Sequence, residues 1–391
     1  ECDLIMSFLS YNDIAGMSEL HRSACRKMTR PALSIGTYGS FTFGSPSVLM
    51  MFHRMPGGIA EELRTMNDAM PYYYRVTENH GAGAELVMDA EASFLRGDFE
   101  AARLLNARAR CRASENKQLF LLLCCDFLAL RLALAEGGDA SLSESEETLL
   151  RQRRDATLLL SLDAVHAYAA ALDDRPERIP PRFADHMLES VNILRPARPM
   201  LLMIENQVYL AQKQYEAVIG RSDTLLALCR EMHYALTELH VRIQTAAAYG
   251  MLGRTADARS LLTEALALDE PDGLLMPFAE NFRLLETPLE MLAKENAAAR
   301  RAASLGAQWK AESDARRARN APGEPAACLT EREAEIARLA AARATNREIA
   351  EKLYLSEGTV KQYINQIYAK LHIDGDTRTK RQRLADTLRK N

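Results

Sequence analysis

The sequence predicts an all-α protein, a stack of helical hairpins followed by a small three-helix unit. Three observations predict it. Aromatic residues make up only 6% of the 391-residue chain while Ala and Leu are abundant, which favours helices over a β-sandwich. One short pattern recurs after a helical run at Gly97, Lys213 and Gly253. Finally, residues 329–371 hold three segments, each opened by Ser or Thr and each with apolar residues at helical spacing.

The recurring pattern reads as the turn and second helix of a hairpin. GDFEAARLLNARA begins at Gly97 and places Ala102 and Ala109 five and twelve residues on. GRTADARSLLTEA, from Gly253, puts Ala258 and Ala265 at the same offsets, and KQYEAVIGRSDTL, from Lys213, is a degenerate copy with Val218 and Leu225 there. Glycine permits the tight turn, and the small residues let the second helix approach its neighbours. One hairpin cannot bury its apolar face alone, so hairpins stack. The pattern resembles tetratricopeptide repeats. Its period is longer, since Lys213 and Gly253 stand 40 residues apart against the usual ~34. A less regular all-helical domain is the alternative.

Around this array the chain is punctuated. GTYGSFTFGSPS (36–47) and MPGG (55–58) are turn-rich loops flanking VLMMFHRM, which looks helical, and IAEELRTMNDAM (59–70) is a second helix. DRPERIPPR (174–182) and PDGLLMPFAE (271–280) are further breaks. QWKAESDARRARNAPGEPAAC (308–328) is charged, then small and Pro-rich, as linkers are. The expected organisation is a tetratricopeptide-like helical solenoid over 1–300, a linker over 301–328 and a small helix-turn-helix domain over 329–391.

Composition narrows the function classes. Residues 329–391 carry a net +4, leaving −8 on the rest, so a basic end sits on an acidic body, a hint of nucleic-acid binding by the end alone. The cysteines Cys2, Cys25, Cys111, Cys124, Cys125, Cys229 and Cys328 are scattered without a CxxC, which fits reduced thiols of a cytoplasmic protein. The most apolar run, LFLLLCCDFLALRLALA (119–135), contains Asp126 and Arg131, so a buried core helix is expected and no membrane partner. The eight histidines are dispersed, and His233 and His240 lack a neighbouring ligand set, so no metal is expected. No GxSxG, Cys/His pairing or GxxxxGK[ST] occurs, which predicts no enzyme and no cofactor.

The last domain carries the chemistry. Thr330 with Glu333, and Thr345 with Glu348, form capping boxes, and Ser356 caps a third helix. Ile336, Leu339 and Ala340, then Ile349, Ala350 and Leu353, form the buried stripes of the first two helices. Only Tyr354-Leu355-Ser356 joins the second helix to the third, so the two cross steeply, as in a helix-turn-helix. On the third helix Val360, Ile364, Ile367 and Leu371 face the core, while Lys361, Gln362, Asn365 and Gln366 share the other side toward its start. A recognition helix inserts that part into the major groove. Lys donates to guanine O6 and N7, and Gln and Asn pair bidentately with adenine. Thr359, Lys370, Arg347 and Lys352 are placed to meet phosphates. A plain solvated helix face is the bland alternative for these residue types.

LTEREAEIARLAAARATNREIAEKLYLSEGTVKQYINQIYAKL resembles the LuxR-type helix-turn-helix of bacterial transcription regulators. The resemblance runs without a gap through Leu329, Thr330, Arg332, Glu333, Asn346, Glu348, Ile349, Ala350, Leu353, Ser356, Thr359, Val360, Lys361, Ile367, Lys370 and Leu371. It implies double-stranded DNA as partner, with Lys361, Gln362 and Asn365 facing bases, Thr359 and Lys370 near the backbone, RNA polymerase as a further partner, and pairing as a dimer on DNA. After Ile373 the sequence departs from the family: Leu384 and Leu388 would form a dimer seam, or Lys380, Arg381 and Arg383 would touch phosphates.

With the hairpin array before it, the layout resembles the C-terminal half of MalT-type regulators. Their nucleotide-binding switch domain has no counterpart in this sequence, and with Glu1 first the chain is expected to begin in mid-protein. The resemblance implies that the array binds a small-molecule effector or a protein. PYYYR (71–75) and Trp309 are candidates for a ligand groove, with packing of helix ends as the plainer reading. The rival function is an interaction scaffold whose last domain docks protein. That would need a large apolar anchor on the exposed face of the third helix, where Tyr363 and Tyr368 are the only candidates.

Overall fold

In the computed structural model, which describes residues 1–32, 35, 39–138, 141–142, 144–320, 329–342, 344–371, 373, 380–381 and 383–384, left-handed residues punctuate the helices at regular intervals. Gly97, Lys117 and Gly137 have positive φ at twenty-residue spacing, and so do Lys213, His233, Gly253 and Gly273. Each follows a helix end and turns the chain back. Gly97 (φ +86°) and Gly253 (φ +74°) adopt this freely, whereas Lys213 (φ +61°) holds the same place at a cost of about 1 kcal/mol. The degenerate copy in the sequence thus keeps the turn geometry.

All elements among the described residues are helical. The chain opens with α1 (Cys2–Leu9), α2 (Ile14–Lys27), α3 (Val48–Phe52) and α4 (Ile59–Thr77). Then come α5 (Ala84–Leu95), α6 (Phe99–Glu115), α7 (Leu119–Ala135), α8 (Glu144–Gln152), α9 (Ala156–Leu172) and the short α10 (Pro181–Ala184). The series continues with α11 (Arg198–Ala211), α12 (Tyr215–Glu231), α13 (Ala235–Met251), α14 (Thr255–Asp269), α15 (Met276–Glu280), α16 (Phe282–Ala293) and α17 (Ala297–Asn320). Helices α5, α7, α9, α11, α13 and α16 pack side by side in that order, as expected of stacked hairpins. Helix α6 packs on α5 and α7, α12 on α11 and α13, and α14 on α13 and α16. The small and apolar residues picked out by the repeat, Ala102, Ala109, Val218, Leu225, Ala258 and Ala265, are all buried.

One hairpin is incomplete. After α9, where a second long helix would stand, the chain makes short 3-10 turns at Pro176–Arg178, Met187–Ser190 and Arg195–Ala197 around α10. Pro176, Pro180, Pro181 and Pro196 lack the N–H groups that a continuous helix needs.

The segment expected only as turn-rich loops around a short helix is interior. Thr42, Ser45, Ser47 and the whole of α3 are buried. Helix after helix of the row fixes its backbone. Glu91 of α5 accepts from Leu49 N (2.7 Å), Ser161 of α9 donates to Gly44 O (2.7 Å), and Ala235 N of α13 donates to His53 O (3.1 Å). Residues 42–53 thus cover part of the row of inner helices. This explains why α7 and α9 are apolar nearly all round, being packed on every side. No helix among the described residues is long and apolar enough to cross a membrane.

Two further expectations resolve here. Tyr73, Tyr74 and Trp309 are buried, the packing reading of the aromatic candidates. Residues 301–320, expected to open a linker, belong to α17, where Ala-rich sequence sustains helix; residues 321–328 lie outside the described residues. The chain divides into two compact units, Glu1–Ala315 and Arg316–Asn391.

Candidate nucleic-acid interface

The second unit contains α18 (Glu331–Ala341), α19 (Asn346–Leu353) and α20 (Glu357–Lys370). Side-chain caps start all three. Thr330 accepts from Glu333 N while Glu333 Oε2 accepts from Thr330 N (2.7 Å). Thr345 and Glu348 repeat the box, with Thr345 N 2.6 Å from Glu348 Oε2. Ser356 Oγ accepts from Thr359 N (3.1 Å). Both carboxyls are held below the ordinary glutamate range. For Glu333 the Lys370 ammonium is the first cause, followed by the Thr330 N–H; for Glu348 it is the Thr345 N–H.

Between α19 and α20 the chain reverses at Tyr354, φ +53°, and Leu355 N donates to Ala350 O (2.9 Å). Arg332 Nη2 donates to Leu353 O (2.7 Å), so α18 caps the C-terminus of α19. Arg381 donates to Ala344 O (2.8 Å) and Asn346 Oδ1 (2.6 Å) at the other end of α19. In the sequence Arg332 stands out only through the family resemblance, and Arg381 only as a phosphate contact offered as the alternative to a dimer seam. Their partners are long-range, so spacing along the chain carries no signal for them.

The core contains Ile336, Ala337, Ala340, Ile349, Ala350, Leu353, Val360, Ile364, Ile367 and Tyr368. Leu339, Tyr363 and Leu371 pack against it half-buried. Leu384, expected at a dimer seam, is fully buried in this same core. Apolar spacing alone does not distinguish a seam from a fourth wall of the core. Leu388 lies outside the described residues. Lys380 stands over the Tyr368 ring, 5.7 Å from its centroid.

With the core side of α20 turned inward, Lys361, Gln362, Asn365 and Gln366 are all exposed. Among the described residues none of the four side chains has a hydrogen bond or ion pair, so their donors and acceptors face outward together. The residues expected at phosphates differ from one another. Lys352 is exposed and makes no hydrogen bond or ion pair among the described residues. Arg347 bonds Glu351 one turn on (3.1 Å), Thr359 shares its hydroxyl with Ser356 (2.8 Å), and Lys370 lies 2.6 Å from Glu333. Tyr354, 95% exposed in the turn, carried no signal in the sequence beyond its place in the loop.

Residues 327–380 match the luxR family of bacterial regulatory proteins. They form a LuxR-family domain. The chain is also similar to an uncharacterized transcriptional regulatory protein, YvfU, of Bacillus subtilis (strain 168), 51% identical over 49 residues. That match covers 12% of this chain and 24% of that protein, so the chain spans about a quarter of the length of the curated relative it matches. The LuxR-family domain thus coincides with the three capped helices, and the helical unit before it fits a MalT-like layout. No cluster of metal-ligating side chains occurs among the described residues.

Proposed function

We propose that the chain is a sequence-specific, double-stranded-DNA-binding transcription regulator. Its LuxR-family domain inserts α20 into the major groove, and its hairpin stack senses an effector or a partner. The observation that carries this reading is the unengaged polar patch of Lys361, Gln362, Asn365 and Gln366 on the second helix of a helix-turn-helix. Lys361 and Asn365 discriminate bases, while Lys352, Arg347, Thr359 and Lys370 lie where phosphates would run. For Arg347 and Lys370 this means exchanging a carboxylate for a phosphate. One such domain gives a modest interface, so two act together on DNA, with RNA polymerase the machinery they contact. The protein-docking alternative lacks its anchor on α20, since Tyr368 is buried and Tyr363 packs against the core.

The test is selection by the full chain from a random double-stranded DNA pool at two salt concentrations. A recovered half-site repeated one helical turn away supports the reading. Binding that enriches nothing and vanishes with salt overturns it.

A further inference from the structure

Beside the incomplete hairpin, a groove of about 580 Å³ opens between residues 186–189 and the α11–α12 hairpin. Part of its lining is self-satisfied. Arg221 Nη1 bonds Glu205 Oε2 (2.6 Å), and the His186 ring stacks on Tyr209 at 3.7 Å and 4°. Gln212 Nε2 donates to Ala184 O (2.9 Å), which orients its Oε1 to accept from His186 Nε2 (2.8 Å). The other ring nitrogen, Nδ1, is buried without a hydrogen bond and stands 4.0 Å from Glu205 Oε1, so it faces a carboxylate that Arg221 already holds.

Two opposite charges in the lining stay unmatched. Half-buried Arg198 and exposed Glu189 make no hydrogen bond or ion pair among the described residues. The wall of α12 is also left bare. Gly220 sits in the helix interior, where glycine costs about 1 kcal/mol against alanine, yet a Cβ there would meet nothing within 4 Å. Packing does not demand glycine at this position, and its absent side chain keeps the groove clear.

We propose that this groove binds a free amino acid with an apolar side chain. Arg198 takes the carboxylate, Glu189 takes the ammonium, and Leu202, Leu225 and Leu228 receive the side chain. One ligand thereby matches both unpaired charges of the lining. The sensing role of the ligand rests on the function proposed above; the binding does not.

The experiment is calorimetric titration of the full chain with each standard L-amino acid, then with the N-acetyl and carboxamide forms of any that binds. Binding by an amino acid with an apolar side chain is expected. Capping either end, Arg198→Ala or Glu189→Gln should each weaken it by about tenfold or more, because each removes a charge-assisted contact. Gly220→Leu should abolish it, with helicity checked by circular dichroism. Arg198 and Glu189 make no internal bonds, so their variants keep the test valid where Gly220→Leu fails to fold. Silence of every amino acid at millimolar concentration overturns the proposal, as does binding indifferent to end-capping or to the Arg198 and Glu189 variants. DNA selection by the same chain without added ligand reports separately on the regulator reading.

Discussion

Lys370 Nζ lies 2.6 Å from Glu333 Oε2, the same oxygen that accepts the Thr330 N–H at 2.7 Å. The last turn of α20 is thereby tied to the first turn of α18. Because Glu333 has a depressed folded pKa, its contribution to stability is present above the ordinary glutamate value of 4.5 and is lost as pH falls through the folded value. Glu348 is shifted in the same direction and adds to the effect. Amide-exchange protection of α18–α20 in the full chain, corrected for intrinsic rates, should fall as pH drops below about 4.5. Glu333→Gln should already be less protected at neutral pH and respond less to acid. Equal pH responses of the two proteins would assign the stability to other groups.

Lys361→Ala and Asn365→Ala should each weaken binding to a selected site by about 1–3 kcal/mol and relax base preference at one position. Lys352→Ala should instead weaken all sequences alike and lower the salt slope by about 1. Lys370→Ala removes the proposed phosphate contact together with the tie to Glu333, so it should lower protection of α18 as well as affinity. Electrophoretic titration against cognate and scrambled DNA separates these patterns. Uniform losses across all four variants would mean that α20 does not read bases.

How far the sequence carried depends on the range of the interaction. Caps, turns and apolar spacing are local, so Thr330, Thr345, Ser356 and the polar face of α20 were legible directly. The hairpins at Gly97 and Gly253 were legible for the same reason, and Lys213 because the small or apolar positions of the pattern survived around it. Burial of residues 41–53 was not legible. Serines and two phenylalanines among glycines look like surface turns, and their partners, such as Glu91, Ser161 and Ala235, lie far along the chain. The groove beside α12 was invisible too, because it arises where a helix is missing, and prolines mark the break without saying what it exposes.

Leu384 offers a direct choice between core and seam. Its side chain is fully buried against the three-helix core. Leu384→Ala should therefore destabilise the domain by about 2–5 kcal/mol, seen as lost exchange protection throughout α18–α20. Sedimentation of the unliganded chain should be unchanged. A shift in association state with protection intact would return Leu384 to a pairing surface.

Arg131 and Glu280 make the most deeply buried ion pair described in the first unit, with Nε to Oε1 at 2.7 Å, Nη2 to Oε2 at 3.1 Å, and Tyr168 donating to Oε2 at 2.9 Å. The guanidinium also stands over the rings of Phe94 and Phe127 at 4.7 and 5.4 Å. Desolvating two such ions costs several kcal/mol, which their attraction and added bonds offset. Removing one partner strands the other. Arg131→Met or Glu280→Gln alone should therefore cost about 3–5 kcal/mol, while the double variant should cost clearly less than their sum. Denaturant unfolding of the four proteins closes the cycle. Additive losses would mean that water reaches the site, and that the pair joins α7 to α15 by geometry rather than by charge.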